Sequence, residues 1–515
     1  MTTPYASSNV IDIRLTNINA IDSLLSDLRW ENPTITYSYP TSNDPLFWST
    51  QIGLGYGSPF GDGEPWSNAA TPLTSQDQVN FDQALQRWAN VANLNFVKVA
   101  ETPNEVGDIR VAYSQDPDEF TLAWSYLPGR SVRAGDIWAN TSGLLNFQDW
   151  NPGTISFEAL LHEIGHALGL KHPFFDPDNE TAATLPPELD DTMHTVMSYT
   201  YATPAGDEGN EYSFHPTTPM ILDIAAIQYL YGTNTHYHSG NDVYAFNETT
   251  PYHETIWDAG GIDTIQFTGS MPNAIDLNPN AASFIGTSVY VQSNGVNLGS
   301  PIPNVWIASG VTIENIIAGQ GNDFLIGNTA SNSLDGGPGI DYVEIRSSRA
   351  ESVLTKTYSG YTLTAIAQPA DADQLMHIER LKFNDIKLAL DVDGQAGQVA
   401  KLIGAVFDAP AVLNLGLIGI GLAEAGKGLN YEQLGQLAIQ ATGLTSHDDI
   451  VTLLWQNLFT DAPSLSEKSP YVQLLDSGGM SPGALAVMAA DSSFNSEQIG
   501  LSGLMQTGLP FICSD

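Results

Sequence analysis

The chain has 515 residues, of which 42% are hydrophobic, and its 17 basic and 58 acidic residues give a formal net charge of −41. The hydrophobic content excludes a globally disordered protein, and the length predicts two to four domains. So strong a negative charge repels nucleic acid phosphates and anionic membranes, which excludes both as partners, and it attracts divalent cations. High solubility alone is the alternative explanation of the charge.

Cysteine content and targeting signals indicate which cellular compartment the protein suits. The one cysteine, Cys513, excludes an intramolecular disulfide, so bound calcium is a candidate source of rigidity if the protein is secreted. The segment Met1–Leu15 has neither a basic region nor a continuous apolar region, so we expect no standard N-terminal signal peptide. The longest apolar run, Ala411–Leu422, is too short and glycine-rich to span a bilayer.

The first half of the chain mixes strand and helix patterns. Residues 1–30 are polar and weakly patterned, which favours a leader or pro-segment. Thr34–Tyr39 alternates like a strand, and Thr74–Ala92 has apolar residues at helical spacing after a capping threonine or serine. Further strands are predicted at Asn95–Val99, Asp108–Tyr113 and Asp136–Ala139, and a buried helix at Ser156–Leu168.

The residue composition and periodicity change twice in the second half of the chain. From about Gly240, glycine, asparagine and aspartate dominate, and 318–344 divides into the nine-residue units AGQGNDFLI, GNTASNSLD and GGPGIDYVE, a pattern typical of a calcium-binding parallel β-roll. Tyr361–Leu390 is strand-like. After about Asp393, helical periodicity at 399–407, 431–441 and 450–459 predicts a separate all-α domain.

The chemistry is concentrated in the sequence HEIGHALGLKH, which begins at His162. His162 and His166 share one helix face and can reach one metal ion, and imidazole nitrogens suit zinc. Gly169 allows a turn that most side chains disfavour, and this turn returns His172 as a third ligand. Surface or core histidines are the alternative reading, but the extension to Gly169 and His172 makes coincidence remote.

This ligand set predicts hydrolysis of peptide bonds. Three neutral histidines leave one zinc position open for water, whose pKa zinc lowers to about 7. Glu163, next to His162, can accept the water's proton as a general base and later pass it to the leaving amine. The prediction is a zinc-dependent endopeptidase.

The sequence TVMSY, from Thr195 to Tyr199, resembles the methionine turn of the metzincin metallopeptidases. Longer matches narrow this to the serralysins, which are secreted bacterial zinc proteases. They are LDIAAIQYLYG at 222–232, NDVYAFN at 241–247, IWDAGGIDTI at 256–265 and GVTIENIIAGQGNDFLIGN at 310–328, and the resemblance covers roughly residues 30–345. It implies that Met197 packs beneath the zinc ligands and that Tyr199 acts as a further zinc ligand and stabilises the oxyanion.

The resemblance also implies the architecture. We expect an α+β metzincin-type catalytic domain, then a parallel β-roll or β-sandwich calcium domain, then the C-terminal all-α domain. The corresponding boundaries are 1–30 for the leader or pro-segment, 31–238, 239–392 and 393–515. An extended substrate would pair with an edge strand. The candidate edge is Gly135–Trp138, with Ile137 between them, although Trp138 could equally be a core aromatic.

The serralysin resemblance implies several structural calcium ions beside the single catalytic zinc, because carboxylates and turn carbonyls are hard oxygen ligands. The implied calcium-site residues are Asp242, Asp258, Gly260, Gly261, Asp263, Thr312, Glu314, Gly319, Gly321, Asp323, Gly337, Gly339 and Asp341, and Gly240 would shape a turn. The middle nine-residue unit departs from the pattern, with Asn332 in place of aspartate. We therefore expect fewer ions than in a regular roll.

The implied partners are protein or peptide substrates, the one-step type I export machinery and a proteinaceous inhibitor, with secretion through a C-terminal signal and no membrane span. The acidic, proline-rich loop 173–191 is predicted to bias cleavage towards basic or neutral side chains. Two other readings stay open. The chain could be a catalytically idle surface or adhesion protein that uses its calcium and helical domains, or a zymogen inhibited by its own N-terminal segment.

Overall fold

The protein is represented by a computed structural model that describes residue 2 and residues 7–41, 70–102, 104–114, 121–142, 149–175, 182–201 and 210–512. Its residues divide into two compact units. The first comprises Met1–Phe267 with Asp276–Ile313, and the second comprises Thr268–Ile275 with Glu314–Asp515. This division runs through the predicted roll, so the four domain ranges given above stay predictions.

The elements up to residue 231 include both strands and helices. They are β1 (Val10–Asp12), α1 (Asn19–Asp22), β2 (Leu28–Trp30), β3 (Thr34–Ser38), α2 (Ser75–Val91), β4 (Asn95–Lys98), β5 (Ile109–Ser114), β6 (Ala123–Ser125), β7 (Asp136–Asn140), α3 (Ile155–Leu168), β8 (Asn210–Tyr212) and α4 (Ile221–Tyr231).

Five of these strands form one sheet in the order β4-β3-β5-β7-β6. Strand β3 pairs in parallel with β4 and β5, and β5 pairs in parallel with β7. Strand β6 runs antiparallel to β7 and, among the described residues, lies at the edge of the sheet. Helices α2 and α3 pack against each other, and the buried Trp88 of α2 donates its indole N–H to the Leu161 carbonyl of α3 at 3.2 Å. This α+β arrangement is the catalytic fold that the sequence predicts.

The described part of the first 30 residues forms more regular structure than its weak sequence pattern predicts. Strand β1 pairs antiparallel with β2, and Leu24 and Leu25 are only 0% and 3% exposed. The Lys171 N–H donates to the Leu24 carbonyl at 2.8 Å, and the Ser26 N–H donates to the Gly169 carbonyl at 3.0 Å. This segment therefore supports the bend that follows α3. Its role as a leader or pro-segment stays a prediction.

The next strands belong to the glycine-rich region. They are β9 (Val243–Asn247), β10 (Glu254–Ile256), β11 (Thr264–Thr268), β12 (Ala274–Asp276), β13 (Ala282–Ser283), β14 (Val289–Ser293), β15 (Val296–Ile302), β16 (Val305–Ile307), β17 (Asn315–Ile317), β18 (Phe324–Ile326), β19 (Ser333–Asp335), β20 (Tyr342–Glu344), β21 (Ser352–Lys356), β22 (Tyr361–Ala365), β23 (Ala372–Met376), β24 (Arg380–Lys382) and β25 (Lys387–Ala389).

The nine-residue units form the predicted parallel roll. Strand β17 pairs in parallel with β19, and β18 with β20, so each strand is paired with the strand two units away. The middle residue of each three-residue strand is buried and its neighbours are half-buried or exposed. These middle residues are Ile316, Leu325, Leu334 and Val343. The alternation expected of a strand therefore supplies the inner core of the roll.

The C-terminal region is helical, as predicted. Its helices are α5 (Gln395–Phe407), α6 (Leu415–Gly426), α7 (Tyr431–Ala441), α8 (His447–Phe459), α9 (Leu465–Asp476), α10 (Pro482–Ala490), α11 (Ser493–Gln498) and α12 (Leu501–Thr507). One strand here was not predicted from the sequence. It is β26 (Leu509–Phe511), which pairs antiparallel with β25. Among the described residues, every helix is too short or too polar to cross a membrane.

Candidate active site

Helix α3 carries the histidine motif and is bounded by the signals that its sequence contains. The Thr154 side chain caps the first turn by accepting a hydrogen bond from the Phe157 N–H. The helix ends at Gly169, whose φ of 109° lies in the left-handed region that favours glycine. Because almost every residue of α3 is buried, the helix is fixed firmly in the fold.

The three predicted zinc ligands come together at the end of this helix. The Nε2 atom of His172 lies 3.1 Å from Nε2 of His162 and 3.0 Å from Nε2 of His166. Four nitrogens arranged tetrahedrally at zinc–nitrogen distances of about 2.0–2.1 Å would lie roughly 3.3 Å apart. The spacing of these three atoms therefore fits a zinc ion between them.

Hydrogen bonds on the far side of two rings set their protonation. Nδ1 of His162 donates to the Val196 carbonyl at 2.7 Å, and Nδ1 of His166 donates to the Leu170 carbonyl at 2.9 Å. A carbonyl only accepts, so each Nδ1 carries the proton and each Nε2 has a free lone pair. Burial lowers the pKa of His166 to about 4. The rings are thus neutral ligands, and their converging lone pairs require a cation.

Glu163 lies on the same helix and is only 6% exposed. One carboxylate oxygen, Oε2, accepts a 2.6 Å hydrogen bond from the Ser125 hydroxyl of β6. Burial raises the pKa of Glu163 to about 7, while the hydrogen bond from Ser125 acts in the opposite direction. A carboxylate with a raised pKa can both accept and return a proton near neutral pH.

The predicted methionine turn lies against α3. Met197 is 0% exposed, and a Cβ added to Gly165 would lie 2.6 Å from its sulfur atom, so the helix needs glycine there. The Tyr199 ring lies 5.4 Å from the ring of His162 and 4.6 Å from that of His172, centroid to centroid. The structure therefore brings Tyr199 to two of the three histidines, His162 and His172.

Asp223, which was not predicted from the sequence, holds the methionine turn. It is 0% exposed, and its carboxylate accepts hydrogen bonds from the Thr195 hydroxyl at 2.5 Å, the Val196 N–H at 2.8 Å and the Met220 N–H at 2.8 Å. Because the Val196 carbonyl accepts from His162, Asp223 positions a ligand through one intervening residue. The available signal was an aspartate in the first turn of α4, within LDIAAIQYLYG.

The prediction that Gly135–Trp138 forms the substrate edge is wrong. Gly135 precedes β7, and Ile137 and Trp138 lie on it, but β7 is internal to the sheet because β5 and β6 pair with its two sides. Ile137 and Trp138 are each 1% exposed, so the core reading of Trp138 is the one that the structure supports. The edge beside Glu163 is β6, which carries Ser125.

A cavity of about 370 Å³ opens beside His162 and Glu163. Residues of α3, of the methionine-turn segment and of the chain leading into β6 form its wall, and Tyr199 lines it. Its volume is within the range of about 300–1,000 Å³ that is usual for ligand sites.

Comparisons with known proteins agree with this site. The matrixin family profile matches residues 67–179, and the profile of the serralysin C-terminal region of peptidase family M10 matches residues 222–402. Metalloprotease AprA of Pseudomonas entomophila (strain L48) is 32% identical over 412 residues, which cover 73% of this chain and 77% of the relative. The chain belongs to the serralysin family, within the metzincins.

Other serralysins match over shorter stretches. Serralysin C of Dickeya chrysanthemi is 38% identical over 266 residues, 47% of this chain and 51% of the relative. Serralysin of Photorhabdus luminescens is 32% identical over 292 residues, 53% of this chain and 57% of the relative. The chain thus spans about half the length of these two relatives.

In this serralysin-family chain, two turns of the roll present the predicted calcium residues. Asp341 accepts the Asp323 N–H through Oδ1 at 2.7 Å, and Asp323 accepts the Asn273 N–H at 2.7 Å. The Oδ2 atoms of both aspartates are buried and have no hydrogen-bond partner among the described residues. A buried carboxylate oxygen in this state calls for a cation.

The glycines of the same two turns complete each candidate calcium site. A Cβ on Gly337 would lie 2.0 Å from the Gly319 carbonyl oxygen, and a Cβ on Gly339 would lie 2.0 Å from the Gly321 carbonyl oxygen. Only glycine therefore fits at either position. Burial, aided by neighbouring acidic charges, raises the pKa of Asp341 to about 7. Both the geometry and the charge fit a calcium ion.

An earlier turn brings the other predicted aspartates together. Asp263 accepts the Asp242 N–H at 2.7 Å, and Asp258 accepts the Gly260 N–H at 2.6 Å. A Cβ on Gly261 would lie 1.8 Å from the Gly240 carbonyl oxygen. His238, which the sequence analysis did not single out, has Nδ1 at 3.0 Å from the Asp242 carboxylate.

The structure gives less support for calcium binding by the two remaining predicted residues. Thr312 is exposed and Glu314 is half-buried. The Glu314 backbone carbonyl accepts hydrogen bonds from the Ser333 N–H at 3.0 Å and from the Asn332 side-chain amide at 3.2 Å. Their calcium roles stay predictions.

Proposed function

We propose that this protein is a zinc-dependent endopeptidase that hydrolyses peptide bonds of extracellular proteins. The observation that carries the proposal is the convergence of three imidazole Nε2 atoms beside the buried carboxylate of Glu163. Zinc held by His162, His166 and His172 would lower the pKa of a water molecule to about 7 and polarise the scissile carbonyl.

The chain's own residues would supply the remaining functions. Glu163 takes the proton of the attacking water and later gives it to the leaving amine. Ser125 fixes the rotamer of Glu163 through its 2.6 Å hydrogen bond, so the carboxylate stays directed at the reaction site. Tyr199, whose ring lies among the histidine rings, is close enough to donate a hydrogen bond to the oxyanion that develops on the substrate.

Substrate would bind in extended form along β6. An edge strand offers unpaired N–H and C=O groups on its outer side, which pair with any peptide backbone regardless of sequence. Because Ser125 of this strand also holds Glu163, a peptide paired with β6 would lie next to the general base. This geometry suits cleavage within an extended chain.

The test compares Glu163→Ala with wild type in a casein-digestion assay, with and without a zinc chelator, and with zinc content measured on both proteins. We expect one tightly bound zinc in each and near-complete loss of digestion in the variant. The matched control is Glu188→Ala, which removes an exposed carboxylate from the loop after the third histidine. Full activity in Glu163→Ala, or wild-type digestion that resists the chelator, would overturn the proposal.

We also propose that calcium stabilises the roll, with Asp323 and Asp341 as side-chain ligands and turn carbonyls as the others. The unpartnered Oδ2 atoms of both aspartates support this. The expected result is a higher Tm in calcium than in EGTA, and loss of most of that difference in Asp341→Asn. An equal calcium effect in the variant and in wild type would refute the assignment.

Secretion by type I export machinery, with calcium folding the roll outside the cell, is the localisation that we infer for a serralysin of this kind. A proteinaceous inhibitor is a further partner that the cleft could accept. Expression with and without a type I exporter, followed by assay of culture medium, tests the export proposal. Protein that reaches the medium equally well without the exporter would refute it.

A further inference from the structure

The cavity beside the histidines contains a second carboxylate, which the catalytic roles above do not use. Glu158 lies four residues before His162 on α3, so both side chains project from one helix face, and both line the cavity. Glu158 is only 6% exposed. A carboxylate held this far from bulk solvent is costly unless a partner occupies it.

One partner is already present. His215, 3% exposed, approaches Oε2 of Glu158 with its Nδ1 at 2.6 Å. An ionised carboxylate accepts through both oxygens, with about four lone-pair directions, so this contact leaves capacity for a second donor. Among the described lining residues, lysine and arginine are absent, so the cavity wall itself supplies no such cation.

The cavity walls suit a long side chain with a charged end. Leu122, Ile155, Ala159 and Val196 are apolar lining residues. The methylene stem of lysine or arginine can lie along such walls while its charged end reaches a carboxylate. An acidic side chain would instead meet the negative charge of Glu158, and a purely apolar one would cover that charge without pairing it.

We infer that Glu158 makes this cavity a subsite for a basic side chain, so that the protease cleaves next to lysine or arginine. This inference rests on the proposed endopeptidase function and adds its substrate class. It differs from the expectation based on the loop 173–191, of which residues 176–181 lie outside the described residues. Among the described acids of that loop, two already accept hydrogen bonds. Asp190 accepts a hydrogen bond from Ser198, and Asp191 accepts from the N–H of His194.

The experiment profiles cleavage of peptides that vary only at the two residues flanking the scissile bond. The central comparison is lysine against norleucine, which keeps the stem and removes the charge. In wild type we expect kcat/KM to favour lysine by about 10- to 100-fold at one flanking position, the range of a charge-assisted hydrogen bond. In Glu158→Gln the ratio should fall by a similar factor, and in Glu188→Gln it should keep its wild-type value.

The outcomes separate the two proposals. Zinc-dependent cleavage without preference for lysine over norleucine would overturn this inference and leave the endopeptidase proposal standing. A lysine-to-norleucine ratio of kcat/KM that is unchanged in folded, zinc-loaded Glu158→Gln would also overturn this inference. If that ratio falls only in Glu188→Gln, the selection belongs to the loop 173–191 instead. The wild-type profile decides even if Glu158→Gln does not fold. Absence of any zinc-dependent cleavage would overturn both proposals.

Discussion

Removal of the Asp223 side chain should weaken zinc binding although Asp223 does not touch the metal site. Its carboxylate satisfies two backbone N–H groups, those of Val196 and Met220, and the hydroxyl of Thr195. Each buried donor left without an acceptor costs about 1–3 kcal/mol, so the two backbone groups alone give about 2–6 kcal/mol in Asp223→Ala. The structure can avoid this cost only by loosening the methionine turn.

A looser methionine turn would weaken zinc binding through its hydrogen bond with His162. The Val196 carbonyl, which accepts from His162 at 2.7 Å, belongs to the turn that Asp223 holds. Loss of such an outer hydrogen bond commonly weakens metal affinity by about 10- to 100-fold. We expect this loss in Asp223→Ala and a smaller one in Asp223→Asn. The amide oxygen can still accept from both backbone groups, and its NH₂ can donate to the Thr195 hydroxyl.

The assay is zinc affinity by competition with a chelator, together with circular dichroism to establish that each variant is folded. The control is Glu467→Ala, which also removes a carboxylate from the first turn of a helix, but an exposed one in the C-terminal region. It should leave zinc affinity at the wild-type value. A zinc Kd within threefold of wild type in folded Asp223→Ala would refute the reasoning.

Three further predictions concern packing and calcium. Leu24→Ala should lower the free energy of unfolding by about 2–5 kcal/mol, because Leu24 is 0% exposed under the bend that carries the third histidine; thermal or urea unfolding measures this. Gly165→Ala should destabilise the protein and reduce bound zinc, because the new Cβ lies 2.6 Å from the Met197 sulfur; metal analysis beside Gly503→Ala, where the space is open, checks it. Asn332→Asp should change Tm, relative to wild type, more favourably in calcium than in EGTA. The new carboxylate can bind calcium, whereas without calcium it faces the backbone carbonyl to which the Asn332 amide donates. An equal change of Tm in both buffers would contradict this prediction.

Local sequence signals predicted the elements that carry the ligands. Helix α7 has the predicted bounds, α2 is one residue shorter than predicted at each end, and α3 begins one residue earlier than predicted. The zinc site could be predicted for the same reason. Two ligands lie four residues apart on one helix, and the third follows a glycine that ends it, so all three are determined within eleven residues of chain.

The residues that were missed act across long chain separations. Ser125 contacts Glu163 from 38 residues away, and Asp223 contacts Thr195 from 28 residues away. Neither contact leaves a periodic signal, because serine and aspartate are common in ordinary turns and helix caps. Only the folded arrangement, with β6 against α3 and Asp223 of α4 against the methionine turn, brings these side chains to the site.

The error over the edge strand has a related cause. The GDIW segment, residues 135–138, has the composition of a strand. Over Ala123–Ser125, apolar and polar residues alternate too little to predict the neighbouring strand β6. Yet β6 pairs with β7 and takes the edge. Chain order does not determine strand order in a sheet, so a correctly predicted strand was assigned to the edge although it lies inside the sheet. Strand β26 was missed because it is three residues long and contains Pro510.

The two ligand hydrogen bonds show how the metal site is divided between local and distant parts of the chain. His166 donates to Leu170, which lies in the same bend, so the motif itself orients this ring. His162 donates to Val196, which belongs to a separate turn held by the buried Asp223. The bend that carries His172 is in turn tied to the N-terminal segment through Leu24. It follows that the histidine motif selects the ligands, whereas the distant segments fix their lone pairs in the direction that zinc requires.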